Sequence, residues 1–71
     1  MKLIKLREKD EYIKLGQALK VANMVSSGAE AKFVIMDGLV SVNGEVELRR
    51  GKKLYHGDMV FYDNNEIRIE K

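Results

Sequence analysis

Asn43-Gly44 limits what this chain can fold into more than any other pair of its residues. A two-residue hairpin turn needs positive φ at both central positions, which Asn and Gly tolerate best, so Asn-Gly between apolar runs is a strong hairpin signal. Here it closes Leu39-Val-Ser-Val-Asn-Gly-Glu-Val-Glu47. Such a turn sets Val42 opposite Glu45, Val40 opposite Glu47 and Val46 opposite Ser41, pairing apolar with acidic side chains. The second strand is therefore expected to bulge or to leave the hairpin early.

The chain enters this hairpin from a helix. Ser26 or Ser27 can cap it, and Glu30, three residues after Ser27, completes a capping-box pattern that predicts a start near Gly28. Ala29, Phe33 and Met36 share one stripe, with Phe33 expected in the core, while Ala31 and Ile35 share the next. Gly38 supplies the C-terminal stop. Upstream, Tyr12, Leu15, Leu19 and Ala22 recur at spacings of three and four. They predict a first helix from Glu11 to about Ala22 with these residues on its core face, Asp10 as its N-cap and a left-handed Asn23 at its end. Gly16 inside that helix costs about 1 kcal/mol relative to Ala, which points to close packing or close approach of a partner backbone. Lys2 to Leu6 reads as a strand, with Ile4 and Leu6 on one face and Lys5 and Arg7 on the other.

Beyond the hairpin, Arg49-Arg-Gly-Lys-Lys53 is expected to be a loop or irregular edge, Gly57-Asp58 a turn and Met59 to Tyr62 a buried strand. Asp63-Asn-Asn65 turns into Glu66 to Glu70, whose alternation of apolar and charged residues suits an edge strand. The order predicts an α+β fold: two packed helices against a small, mainly antiparallel sheet of four to five short strands. A chain of 71 residues allows one domain, spanning 1–71, which buries roughly 60% of its unfolded surface. The charged edge strand favours a monomer.

Without cysteine and with one histidine, the chain has no disulfide framework or Cys-based zinc site to reinforce a thin core, and no metal or cofactor is expected. Charge interrupts Met1-Lys-Leu-Ile-Lys-Leu-Arg-Glu8 every two or three residues, and no apolar run approaches a signal peptide or membrane span, so a cytoplasmic protein is expected. The net charge of +2 is small, but it is segregated. Leu48 to Gly57 carries four cations and no acid, whereas Asp58 to Lys71 carries four acids and two cations. Segregation of this kind favours an anionic partner on one face. No nucleophile, base and orienting group stand in recognisable order, so no catalytic residue is assigned; His56 reads as a turn residue.

The motif set resembles the RNA-binding domain of small-subunit ribosomal protein S-four, the alpha-L motif, and most closely its stand-alone bacterial relatives of the YaaA/YbcJ type. Lys14-Leu15-Gly16 stands where that family opens its first helix, with Leu19 as the later apolar anchor. Ser27, Ala31, Val34-Ile35, Gly38 and Val40-Ser-Val-Asn-Gly44 follow at the family's spacing, and Gly57-Asp58-Met59-Val60 matches its Gly-Asp turn. The match runs over 14–60 without gaps. Two residues depart from it: Gly16 replaces the usual acidic residue, and Gly28 replaces an arginine that begins the second helix and touches RNA.

The resemblance implies a non-catalytic RNA-binding protein with structured ribosomal or transfer RNA as its partner, the ribosome as a candidate site of action, and a role in ribosome assembly or translation. No membrane partner is implied. The implied binding face is Lys14, Lys20, Lys32, Arg49, Arg50, Lys52 and Lys53, with weight shifted by Gly28 onto Lys32 and the 49–53 run. Lys and Arg neutralise phosphates with release of counterions, and a guanidinium can bond phosphate or a base edge twice. With Phe33 assigned to the core, no aromatic platform is evident, so a helical RNA read by shape is expected. Lys32 has a duller alternative, pairing with Asp37 or Glu30. Rival functions are a protein-interaction module, for which no long exposed apolar patch is seen, and a β-grasp sulfur carrier, whose C-terminal Gly-Gly is replaced by Ile69-Glu70-Lys71.

Overall fold

The first helix begins later than its apolar spacing implies, because the residues before it are taken by a strand. In the structure, a computed structural model describing residues 1–71, β1 spans Lys2–Lys5, β2 Ile13–Lys14 and α1 only Leu15–Val21. Ile13 and Lys14 pair antiparallel with β5, Lys53–Leu54, and this pairing holds them extended. Asp10 is consequently not a cap: its carboxylate pairs with Arg7 Nε at 2.8 Å and its N–H donates to the Arg7 carbonyl, closing a turn. Tyr12 lies outside the helix and off the core, 37% exposed. Leu15, Leu19 and Ala22 are buried as the spacing implies, and Asn23 ends the helix at φ 63°.

Helix α2, Gly28–Met36, is built as its ends dictate. Ser27 Oγ accepts from the Glu30 N–H at 3.1 Å, while the Glu30 carboxylate accepts from the N–H and hydroxyl of Ser26, so both serines take part in the cap. At the other end Gly38, at φ 79°, donates to Ile35 and Leu39 donates to Val34, the paired bonds of a Schellman stop. Ala31, Val34 and Ile35 face the core; Phe33 and Met36 do not, being 69% and 62% exposed, so the stripe assigned to the core with Phe33 lies on the solvent side. The helix buries one three-residue face, and the 3.6-residue period leaves the adjacent stripe outside.

The hairpin forms in the register set by its turn. β3, Ser41–Val42, pairs with β4, Glu45–Val46, as Ser41 with Val46 and Val42 with Glu45, across Asn43 and Gly44 at φ 52° and 88°. The second strand leaves early: only the Glu47 N–H to Val40 carbonyl bond continues the ladder. The return comes through β6, Met59–Tyr62, and β7, Asn65–Glu70. These join a five-stranded mixed sheet in the order β1-β7-β6-β3-β4, antiparallel except where β1 lies parallel to β7.

Two strand assignments change. β7 lies between β1 and β6 and is not an edge, because alternation reports that one sheet face is dry and the other wet, and says nothing of how many neighbours a strand has. Ile67 and Ile69 point into the core while Glu66 and Arg68 point out. β6 is half-buried: Val60 faces inward, and Phe61 stands 44% exposed on the wet face. The sheet's dry face and both helices enclose one core of 16 residues, in which Leu15, Leu19, Ile35, Val40, Leu54, Val60, Ile67 and Ile69 are fully buried.

Candidate nucleic-acid interface

What positions the basic run is a pair of backbone bonds to α1. The first N–H groups of a helix have no partner within it, and here the loop supplies the carbonyls. Leu15 N–H donates to Lys52 O at 2.8 Å and Gly16 N–H to Arg50 O at 3.1 Å. Gly16 leaves room for the Arg50 side chain, since a Cβ built there would lie 2.7 Å from Arg50 Cγ but at an ordinary 3.7 Å from the Arg50 carbonyl oxygen. The close packing expected of a glycine at this place is thus provided by the basic loop itself. Pairing of β2 with β5 finishes the attachment and sets Lys14 directly beside Lys53.

Clamped in this way, the loop divides its cations between shallow depressions on its two sides. On the α1 side, Lys14, Lys20 and Arg50 surround a concavity of about 300 Å³ completed by Gln17 and by Gly28 at the start of α2; it contains no acid and no apolar side chain. On the other side, Arg49, Lys52, Lys53 and Tyr55 line an open depression of about 550 Å³, and the same four, with Glu45, Glu47 and Asp58, line an adjoining one of about 490 Å³. Gly51 belongs to the first two. Six of the seven cations implicated by the sequence are therefore brought together. Lys32 is apart from them, on α2 beside Ala29, Phe33, Met36 and Asp37, and it pairs with neither Asp37 nor Glu30.

The seven are not electrostatically equivalent. Glu47 accepts from Arg49 three times, from its backbone N–H at 3.1 Å, from Nε at 2.9 Å and from a terminal guanidinium nitrogen at 3.2 Å. These hydrogen bonds, aided by the charges of Arg49 and Lys52, hold the Glu47 carboxyl down to about 2. Glu47 is then ionised across the physiological range and cancels the Arg49 charge locally. Lys14, Lys20, Lys32, Arg50, Lys52 and Lys53 form no salt bridge. The expectation that no aromatic is available near the basic run does not hold either. Tyr55 is 47% exposed in the second depression, its ring centroid 5.9 Å from that of Tyr12, and Lys53 Nζ lies 4.9 Å from the Tyr12 centroid. The alternation Lys53 out, Leu54 in, Tyr55 out was the sequence signal for this exposure.

The remaining polar groups are structural. Asn43 links the two turns, donating to Asp58 Oδ1 at 3.1 Å and accepting from the Met59 N–H at 2.9 Å, while Asp58 Oδ2 accepts from the Tyr55 N–H at 2.8 Å. His56 Nδ1 accepts from the Lys71 N–H. No three of the His, Asp and Glu side chains are grouped to hold a metal ion, and no helix is long and apolar enough to cross a membrane.

The sequence pattern of the S4 domain matches residues 4–70. The chain is 50% identical over 50 residues to the protein of Bacillus subtilis (strain 168) described as "Probable ribosome maturation protein RlbA", covering 70% of each. It is 33% identical over 61 residues to YbcJ of Escherichia coli (strain K12), covering 86% of this chain and 87% of that one. The solution structure of YbcJ, described as revealing an alpha-L motif involved in RNA binding, superposes with a TM-score of 0.73 at 30% identity, over 100% of this chain and 89% of that chain.

Proposed function

This chain belongs to the S4 domain family, and from that premise we propose that it is a non-catalytic, monomeric, cytoplasmic protein that binds structured ribosomal or transfer RNA and acts in ribosome assembly or translation. The observation that carries this reading is the acid-free concavity where Lys14, Lys20 and Arg50 meet across the α1–loop junction. Three cations on separate elements, whose backbones are held by hydrogen bonds and strand pairing, gather positive charge for a phosphate backbone. Neutralised phosphates release counterions, which makes such binding strong at low salt and steeply salt-dependent. Lys52 and Lys53 extend the face across Gly51, while Lys32, on α2 apart from them, is the weakest member of the proposed face.

The absence of an arginine at the start of α2 fits this placement. Gly28 lines the concavity with nothing within 4 Å of where its Cβ would be, so the helix start is open and the charge comes from Arg50 instead. The maturation role in the name of the B. subtilis relative and the RNA-binding motif of the YbcJ structure support the choice of RNA and of the ribosome.

The test is a double charge reversal, Lys14→Glu with Arg50→Glu, in a pull-down of total cellular RNA. Both side chains are exposed, so the fold should persist by circular dichroism. RNA recovery should fall, and the slope of log affinity against log salt should become shallower by about two units, one per lost phosphate contact. Unchanged recovery would place the interface elsewhere. A wild-type chain that captures no RNA at low salt but retains a protein would favour the interaction-module reading.

A further inference from the structure

On the reading that this face binds RNA, we propose that Tyr55 is a stacking platform for one unpaired base, so that the preferred target is a helix interrupted by a bulge or loop nucleotide. Four observations meet at this residue. Tyr55 is 47% exposed although it directly follows the fully buried Leu54, so the ring faces solvent by strand alternation and not through looseness. Its backbone is fixed on both sides of the Gly57-Asp58 turn: the Tyr55 N–H donates to Asp58 Oδ2 at 2.8 Å, and the Asp58 N–H donates to the Tyr55 carbonyl at 3.0 Å. The ring is backed by Tyr12 at a centroid separation of 5.9 Å and a tilt of 53°, a geometry favoured between aromatic rings. Cations border it on one side, where Tyr55 shares an open depression with Arg49, Lys52 and Lys53, while the adjoining depression on its other side adds Glu45, Glu47 and Asp58.

Ring and cations divide the work by chemistry. Lys53 is held near the Tyr12 face, 4.9 Å from its centroid, which leaves the Tyr55 ring as the free π surface. Arg49 is already neutralised by Glu47 and adds little attraction for phosphate. Lys52 and Lys53 remain to take the phosphates on either side of a base lying on Tyr55. A fully paired duplex exposes no base face along its length, whereas bulges and loops splay bases that stack on aromatic side chains. The concavity of Lys14, Lys20 and Arg50 would hold the adjoining helical backbone, and Tyr55 would read the interruption.

The experiment compares two RNAs with the full chain by fluorescence anisotropy: a blunt, fully paired duplex, and the same duplex carrying one bulged adenine. The wild type should prefer the bulged RNA by a factor within the about 5- to 150-fold that stacking one base on an aromatic side chain provides. Tyr55→Leu should lose that preference while keeping its affinity for the duplex. Tyr55→Trp should restore it, and because the chain has no tryptophan of its own, the fluorescence of this Trp should be quenched by the bulged RNA and not by the duplex. Equal binding of both RNAs by the wild type, or a preference that survives in Tyr55→Leu, would overturn the platform and leave RNA binding itself standing. Failure to bind either RNA would overturn both.

Discussion

Replacing Glu47 with Gln is expected to tighten binding to helical RNA while loosening the fold. Glu47 takes three hydrogen bonds from Arg49 and stays ionised because its carboxyl is held down to about 2, so the pair contributes no net charge to the face. Removing the carboxylate releases one cation beside Lys52 and Lys53. Each phosphate neutralised adds about 0.9 to the slope of log affinity against log salt, so one new contact makes the variant lose about 3.5-fold more affinity than the wild type between about 50 and 200 mM salt. The stability cost is modest because the Arg49 side chain is 72% exposed, even though that of Glu47 is 14% exposed; solvent screening on the Arg49 side keeps such a pair near about 0.2–1 kcal/mol. An unfolding entropy of about 2.1 cal/mol/K per residue gives about 150 cal/mol/K for the chain, so the melting temperature should fall by about 1–7 °C. Anisotropy titrations on a paired RNA and thermal melts followed by circular dichroism read the two effects. Opposite signs are the signature of neutralisation. A variant that melts lower and also binds more weakly, with an unchanged salt slope, would show that Glu47 aims Arg49 at the RNA and does not cancel it.

The same carboxylate predicts a pH dependence. Its folded pKa lies below the ordinary 4.5, so its contribution to stability is complete above about pH 4.5 and is lost as pH falls toward 2; melts of the wild type should decline over that window more than those of Glu47→Gln. Gly16→Ala should change the melting temperature little, because a helix propensity gain of up to about 1 kcal/mol opposes the displacement of Arg50 from 2.7 Å. It should still weaken RNA binding, and Arg50→Ala added to it should cost less than Arg50→Ala alone, which a double-mutant cycle measures. Leu54→Ala should cost about 2–5 kcal/mol, as removal of a fully buried leucine side chain does. A domain of this size has only about 4–11 kcal/mol in total, so urea melts should show a large part of its stability gone.

Much of this arrangement could be seen in the sequence wherever a local rule has one solution. Asn43-Gly44 fixed the hairpin register, Ser27 and Glu30 fixed the start of α2, and Gly38 fixed its end. The misplaced elements are those decided by distant partners. Ile13 and Lys14 look helical until β5 arrives to pair with them, and the N-terminus of α1 is capped by loop carbonyls 34 and 37 residues away in sequence, from Gly16 to Arg50 and from Leu15 to Lys52. Phe33 was assigned inward because its stripe is as apolar as its neighbour's, and only the packing of α2 on α1 and the sheet chooses between them. The same holds for the interface. The basic residues were visible as composition, but the neutralisation of Arg49, the separation of Lys32 and the exposure of Tyr55 depend on the fold.

That gathered, unpaired cations grip an RNA backbone is tested most directly by the salt dependence of wild-type affinity for a helical RNA. Lys14, Lys20, Arg50, Lys52 and Lys53 make up the gathered, unpaired set. If each meets one phosphate, log affinity should fall linearly against log salt with a slope of about −4.5. A slope near zero, or no binding at the lowest salt, would contradict the account.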